Sequence, residues 1–295
     1  MIEKPLDLFL NHIRYEKRLS ALTIKSYLAD LNKLKKLLQV EIQEAKTEDI
    51  RLSLSKLHSQ GLSSKSLARI LSAWRNFFQF LVKSTNLKSD PTSGIRAPKG
   101  GKKLPQTLSI DQVFKLIEIK EKDFYGIRDK AILELFYSSG LRLSELTNIR
   151  MLDLDMNDRS IQVLGKGNKS RIIPVGGKAF VSIQLWINER SKIKNCEESA
   201  FLFLNQKGGK LTNRAIQYRL KYWAEKNNIP ENIHPHLLRH SFASHVLQSS
   251  QDLRAVQELL GHSNISTTQI YTHLDFQHLA KIYDQSHPRS KKKMD

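Results

Sequence analysis

Apolar side chains recur at helical spacing through the first 84 residues of the chain. One stripe is formed by Leu6, Phe9, Leu10 and Ile13, and longer stripes run through 24–38 and 67–81. Residues that favour helix starts precede the later stripes, and the candidate N-caps are Ser20, Thr47 and Ser63 or Ser64. Four amphipathic helices with short connections predict a small helical bundle over residues 1–84.

The helical period returns after residue 106. Ser109, with Gln112 three residues later, is typical of a capping box, and we expect its helix to reach about Ile119. A second stripe predicts a helix near 127–137, and the following Ser-Ser-Gly at 138–140 ends it. Residues 176–232 are predicted to be mostly helical, with Thr212 as the N-cap of a further helix.

Between residues 152 and 174 the pattern changes from helical to alternating. Segments 153–155, 160–164 and 170–175 have the composition of short strands, and the turn 165–169 reads Gly-Lys-Gly-Asn-Lys. This arrangement predicts an antiparallel hairpin with Lys166 at its tip, where a solvated loop lysine is the ordinary interpretation. The predicted fold class is therefore mainly α with a small antiparallel β-hairpin sheet, preceded by the N-terminal helical bundle.

Residues 85–106 separate the two helical regions and have a different composition. Prolines and glycines alternate there with lysines and arginines, and such residues interrupt regular structure. The composition predicts an extended basic linker between two domains. A flexible spacer is the alternative interpretation.

The net charge of the chain indicates what kind of molecule it binds. The 295 residues carry a net charge of +19, distributed as +7 over 1–84, +4 over 85–106 and +8 over 107–295. A basic excess in both helical regions and in the segment between them predicts a polyanionic partner, and nucleic acid is a better candidate than an anionic membrane surface. We therefore expect both domains to contact DNA. Candidate phosphate contacts are Lys25, Lys65, Arg69, Arg75, Arg214 and Lys221, although a solvated helix face explains any one of them equally well.

Other features of the sequence narrow the class of protein. No run of eighteen apolar residues predicts a membrane span, and the first residues lack the apolar core of a signal peptide. The single cysteine, Cys196, excludes an internal disulfide and a cysteine-rich metal site. We therefore expect a soluble protein of the reducing cytoplasm.

Residues suited to phosphate chemistry are concentrated between 236 and 271. His236 and Arg239 share a face if His236 opens a helix. An apolar stripe follows at Leu253, Val256, Leu259 and Leu260. Gly261 then caps a helix end and leaves His262 on the next turn, with Tyr271 in a further short helix. Arginine binds phosphate oxygens, histidine donates to them and tyrosine can attack phosphorus, although each residue alone is more often a cap or a core side chain.

The motifs in this region occur in a recognisable order. His-Leu-Leu-Arg-His-Ser-Phe-Ala-Ser precedes Leu-Leu-Gly-His-Ser and Thr-Thr-Gln-Ile-Tyr-Thr-His, which together resemble the C-terminal signature of the tyrosine recombinases. Leu-Arg-Leu-Ser-Glu-Leu at 141–146 resembles the first catalytic box of that family. Residues 274–289 are most similar to the Xer subfamily, which resolves chromosome and plasmid dimers in bacteria. The resemblance covers nearly the whole chain and implies a core-DNA-binding domain over 1–84, a catalytic domain over 107–284 and a basic tail over 285–295.

The resemblance also implies a reaction. Its catalytic set is Arg142, Lys166, His236, Arg239, His262 and Tyr271. Tyr271 would attack the scissile phosphate to leave a 3′-phosphotyrosyl bond, and Lys166, or Lys169 as a substitute, would protonate the departing 5′-oxygen. The two arginines and His262 would bind the phosphate, and His236 would assist the nucleophile. Neither a cofactor nor a metal is implied.

Partners follow from the same resemblance. They are double-stranded DNA with a dif-like site, a related XerD-like recombinase in a ring of two copies of each chain, and a DNA translocase of the FtsK type. The terminal stripe Leu274, Leu279, Ile282 and Tyr283 would be the helix donated around that ring, unless it packs on its own domain. Alternatives to this function are an XerD-type paralogue, a phage or mobile-element integrase, a type IB topoisomerase and a non-catalytic DNA-binding protein.

Overall fold

The computed structural model describes residues 3–85, 87–98, 107–165, 170–230, 232–261 and 285–289. The chain divides into two compact units, Met1–Leu104 and Pro105–Asp295. Both are built mainly from helices, and the second also contains a three-stranded antiparallel sheet. The predicted fold class is confirmed.

Four α-helices make up the first unit: α1 Glu3–Asn11, α2 Ala21–Leu37, α3 Thr47–Ser59 and α4 Ser64–Ser84. Ser20 and Ser63 are the N-caps of α2 and α4, and each side chain accepts a hydrogen bond from the backbone N–H three residues later. Thr47 is the first residue of α3 and not its cap, because Asp49 accepts from the backbone N–H of Lys46 at 2.9 Å and begins the helix there.

The core of the first unit lies along the apolar face of α4, where Trp74, Phe77 and Phe78 are almost completely buried. Part of the segment predicted as an extended linker belongs to this unit. Residues 91–94 form a turn, Ile95 packs into the core, and its carbonyl accepts from Arg75 at 2.9 Å. The turn-forming composition is thus followed at 91–94, and the apolar side chain of Ile95 joins this part of the segment to the helical core. Residues 99–106 lie outside the described part of the chain.

The second unit begins with α5 Ile110–Ile117, α6 Phe124–Ser139 and α7 Leu143–Asn148. Ser109 and Gln112 form the predicted capping box, with hydrogen bonds of 2.8 and 3.2 Å, although α5 ends two residues before Ile119. Gly140 ends α6 in the left-handed conformation at φ 55°. The ideal Cβ position at Gly140 lies 2.3 Å from the ring of Phe242, so glycine allows the two segments to approach closely.

Strands β1 Leu154–Asp155, β2 Ser160–Leu164 and β3 Ser170–Pro174 pair in the order β1-β2-β3. The register places Val163 opposite Arg171. Four helices complete the unit: α8 Gly177–Arg190, α9 Asn213–Lys226, α10 Pro235–Ser250 and α11 Leu253–Leu260. α6 is buried along most of its length, and its apolar residues share one core with α8, α10 and the sheet.

Candidate active site

Arg142 lies where the chain turns from α6 into α7. Its backbone N–H donates to Oε2 of Glu145 at 2.8 Å, and its Nη1 donates to Oε1 of the same carboxylate at 2.9 Å. Its Nη2 lies 3.4 Å from the carbonyl oxygen of Gly261. Arg142 and Glu145 therefore form an ion pair. It is not a surface pair, because the Glu145 side chain is only 3% exposed while that of Arg142 is 35% exposed.

Arg171 approaches the same carboxylate from β3. Its Nη1 and Nη2 donate to the two oxygens of Glu145 at 2.8 and 3.0 Å, and its Nε lies 3.4 Å from the carbonyl oxygen of Leu259. Neither Arg171 nor Glu145 is among the candidate site residues predicted from the sequence, yet both lie in this cluster. The alternation of a strand could have indicated Arg171, because it shares a face with the apolar Ile173. In the structure that face is buried, whereas the intervening Ile172 is 44% exposed.

Arg239 reaches this cluster from the second turn of α10. Its Nη1 donates to the carbonyl oxygen of Gly140 and its Nη2 to that of Leu260, both at 2.6 Å. Its Nη1 also lies 4.0 Å from Oε2 of Glu145. Gly140 and Leu260 stand at the C-terminal ends of α6 and α11, where backbone carbonyls lack helical partners. The fold thus brings Arg142 and Arg239 together, although 97 positions of numbering separate them in the sequence.

The Glu145 carboxylate therefore lies within 4.0 Å of the guanidinium groups of Arg142, Arg171 and Arg239. Burial alone would raise the pKa of Glu145, but the hydrogen bonds and charge of Arg171, with further hydrogen bonds from Arg142, bring that pKa below its usual value. Burial, with the neighbouring charge of Arg142, lowers the pKa of Arg239 to about 10. Arg239 consequently stays protonated near neutral pH, and the cluster keeps an excess of positive charge suited to an anionic ligand.

His236 lies in the first turn of α10 with an exposed side chain. The preceding His234 is the N-cap of that helix, and its Nδ1 accepts from the backbone N–H of Leu237 at 3.1 Å. Burial lowers the pKa of His234, and the charges of His236 and His240 lower it further. The helix therefore begins at Pro235, one residue before His236. This meets the condition under which His236 and Arg239 share a helix face.

Lys166, His262 and Tyr271 lie outside the described residues, as does the substitute Lys169. Their neighbours in sequence do belong to the described site. β2 and β3 flank the segment of Lys166, and Gly261, which precedes His262, ends α11 with φ 65° as predicted. Val256, Leu259 and Leu260 form the buried face of α11, whereas Leu253 is 55% exposed and does not belong to it.

A short C-terminal segment, 285–289, lies against the second unit. Arg289 forms an ion pair with the buried carboxylate of Glu134, and its Nε lies 2.6 Å from Oε2. His287 is buried against the rings of Tyr137 and Phe242, with centroid distances of 4.9 and 5.5 Å. This part of the predicted basic tail is therefore packed into the fold.

The candidate DNA contacts differ in their surroundings. Lys25, Lys65 and Arg214 have exposed side chains. Arg69 is also exposed but pairs with the buried carboxylate of Asp30, and Arg75 donates to a backbone carbonyl of its own unit. Of the described helices, none has the length and apolar character needed to cross a membrane.

Comparison with known proteins adds independent observations. Residues 106–278 match the model of the phage integrase family, and residues 6–85 match that of the phage integrase N-terminal SAM-like domain. The chain is 50% identical to tyrosine recombinase XerC of Pseudomonas fluorescens, over 99% of this chain and 98% of that protein. It is 47% identical to tyrosine recombinase XerC of Shewanella oneidensis, over 98% of this chain and 95% of that protein.

A solved structure extends the comparison to three dimensions. The chain resembles the XerH site-specific recombinase in its post-cleavage complex with a palindromic difH substrate, with a TM-score of 0.70 and 26% identity over 91% of this chain and 81% of that one. The resemblance noted in the sequence is thus confirmed at the level of the family. The chain belongs to the tyrosine recombinases of the phage integrase family, enzymes that cut and rejoin DNA through a phosphotyrosyl intermediate.

Proposed function

We propose that Tyr271 is the nucleophile of this recombinase. Its phenolic oxygen attacks the scissile phosphorus, the bond from phosphorus to the 5′-oxygen breaks, and a 3′-phosphotyrosyl bond forms. Lys166 gives a proton to the departing 5′-oxygen, which becomes a hydroxyl. The 5′-hydroxyl of another strand reverses these steps. The energy of the phosphodiester is retained in the phosphotyrosyl bond, so rejoining needs no ATP.

Arg142 and Arg239 bind the non-bridging oxygens of the same phosphate. The negative charge on those oxygens grows in the transition state, where a fixed positive charge stabilises it more than it stabilises the ground state. His262 donates to the phosphate as well. His236 hydrogen-bonds to the phenol or the phosphate and helps to remove a proton whose ordinary pKa is about 10.

The observation that carries this proposal is the convergence of Arg142 and Arg239 on one buried carboxylate. The hairpin that contains Lys166 and the end of α11 that precedes His262 both reach that cluster, through Arg171 and through the carbonyls of Leu259 and Leu260. A non-catalytic DNA-binding protein has no need of arginines held at one point inside its fold.

Trapping with a suicide DNA half-site tests the proposal. We expect the unaltered protein to form a covalent DNA adduct, and Tyr271→Phe to form none while binding the site with nearly the same affinity. Tyr218→Phe is the matched control, because it removes an exposed phenol at another position. An adduct with Tyr271→Phe would remove Tyr271 from the mechanism. Relaxation of supercoils by single chains, without pairing of two sites, would favour a topoisomerase.

We further propose that the recombinase resolves chromosome and plasmid dimers at a dif-like site in the cytoplasm. The relatives named XerC, at 47 to 50% identity, support the XerC role over that of an XerD-type paralogue. The partners in this proposal are an XerD-like recombinase, in a ring of two copies of each chain, and a DNA translocase of the FtsK type. Reconstitution with candidate XerD-like chains on a two-half-site DNA tests the pairing, since the proposal requires strand exchange only when both recombinases are present.

A further inference from the structure

We propose that Arg171 is a positioning residue, which sets where the Arg142 guanidinium meets the scissile phosphate; this inference rests on the phosphate-binding role proposed for Arg142. All three guanidinium nitrogens of Arg171 have partners inside the protein, two on Glu145 and one on the Leu259 carbonyl. Its side chain is only 6% exposed. Arg171 therefore acts through Glu145, without contact to DNA.

The geometry of the carboxylate shows what Arg171 controls. Both Glu145 oxygens are held by Arg171, as a planar fork holds a carboxylate. What remains for Arg142 is one bond from Nη1 to Oε1, besides the bond from its backbone N–H to Oε2. Glu145 thereby holds the Arg142 guanidinium at one nitrogen only, a second nitrogen contacts the carbonyl of Gly261, and the side chain retains an exposed portion.

Among the described residues, removal of Arg171 would leave the buried Glu145 carboxylate with Arg142 and Arg239 as its cationic neighbours. Such a carboxylate gains most by turning to take both terminal nitrogens of Arg142, which would draw that side chain inward and offset its charge. Misplacement by about 1 Å from a residue remote from the chemistry costs a rate on the order of 10²-fold. We expect the loss in the cleavage step, because DNA affinity comes from basic residues across the chain.

The test uses full-length Arg171→Met, with Arg171→Lys as a variant that keeps the charge without the fork. Single-turnover cleavage is measured on three suicide substrates that differ at the scissile position: an ordinary phosphodiester, a methylphosphonate and a 5′-phosphorothiolate. The methylphosphonate lacks one non-bridging charge and so depends less on arginine. The phosphorothiolate has a leaving group that needs no proton from Lys166.

We expect Arg171→Met to lose on the order of 10²-fold in cleavage of the phosphodiester, with unchanged DNA affinity. Most of that loss should disappear on the methylphosphonate. The cleavage rate of Arg171→Lys should lie between those of the unaltered protein and Arg171→Met. Arg190→Met is the matched control. It removes a buried arginine that binds the carbonyls of Cys196, Ser199 and Phe201, so it should reduce stability without selective recovery on the methylphosphonate.

Other results would overturn the inference. Recovery on the phosphorothiolate alone would mean that Arg171 acts through the hairpin and Lys166. Equal loss on all three substrates, for whichever of the two Arg171 variants folds, would mean a structural role only. Arg142→Ala separates the two proposals: if it shows no recovery on the methylphosphonate, the proposed role of Arg142 fails. If Arg142→Ala recovers and the Arg171 variants do not, only the inference about Arg171 fails.

Discussion

Acid should release the 285–289 segment from the second unit. The pKa of His287 is lowered from 6.5 to about 3, chiefly by burial. A backbone hydrogen bond with Tyr137 acts in the opposite direction, and the charges of His245 and Arg289 act in the same direction as burial. The neutral ring is thus the form that docks. Docking is fully favourable above the free pKa of 6.5 and weakens as the pH falls from there toward 3.

The size of the effect follows from those two values. Each pH unit below 6.5 weakens docking about tenfold, or about 1.4 kcal/mol, until the pH approaches the pKa of the docked ring. At about pH 5 the loss is therefore about 2 kcal/mol, a factor of about thirty in the ratio of docked to released segment. Burial also lowers the pKa of His245, which hydrogen-bonds to Tyr137, but His245 belongs to α10 and not to the segment that is released.

Hydrogen exchange of the C-terminal peptide measures this release, after correction for the intrinsic effect of pH on exchange. Nitrogen-15 NMR of the ring gives the pKa of His287 itself. His287→Phe keeps an aromatic ring and removes the proton site, so most of the pH dependence should be lost. His240→Phe, at an exposed position of α10, should leave the pH dependence unchanged. A His287 pKa at its ordinary value, or protection that does not vary with pH, would refute this reasoning.

Three further predictions concern other parts of the molecule. Gly140→Ala should lower stability by more than the roughly 1–2 kcal/mol typical of left-handed backbone, because the added Cβ would clash with Phe242. It should also slow cleavage, because the Gly140 carbonyl holds Arg239. Gly61→Ala, at φ 86° with open space around it, should show only the backbone cost, and equal losses of stability in the two variants would contradict this. DNA affinity should fall by several decades between about 50 and 200 mM salt in a filter-binding titration, and a flat response would contradict binding by both basic units. Replacing Leu279 and Ile282 with serine, which keeps the packed 285–289 segment, should leave binding to a half-site but abolish cooperative binding beside the partner recombinase, and unchanged cooperativity in a gel-shift titration would exclude a coupling role for that apolar stripe.

Local signals in the sequence predicted much of the fold. Ser20, Ser63, Ser109 and Thr212 cap helices as expected, because the hydrogen bond that each makes lies within three residues of it. The strand pattern gave the sheet for a similar reason, since β2 and β3 are neighbours in the chain. Two of the six proposed catalytic residues, Arg142 and Arg239, lie at one cluster.

Features that depend on distant parts of the chain were not predicted. The pairing of Arg171 with Glu145 spans 26 positions, and that of Arg289 with Glu134 spans 155. Neither leaves a periodic signal, because each partner is a single charged residue whose burial depends on the completed core. Ile95 shows the same limit, since its burial in the core of the first unit depends on residues that are distant in the chain.

The two carbonyls that hold Arg239 have an entropic consequence. An arginine on a protein surface samples many rotamers, and fixing such a side chain on binding costs about 0.5–1.5 kcal/mol. Arg239 gives up that freedom when the chain folds, because Gly140 and Leu260 hold its terminal nitrogens before any DNA is present. A recombinase acts on the scissile phosphate twice in each cycle, once in cleavage and once in rejoining. In the role proposed for Arg239, a guanidinium that is already ordered favours both directions equally, and so speeds the exchange of strands without shifting its equilibrium.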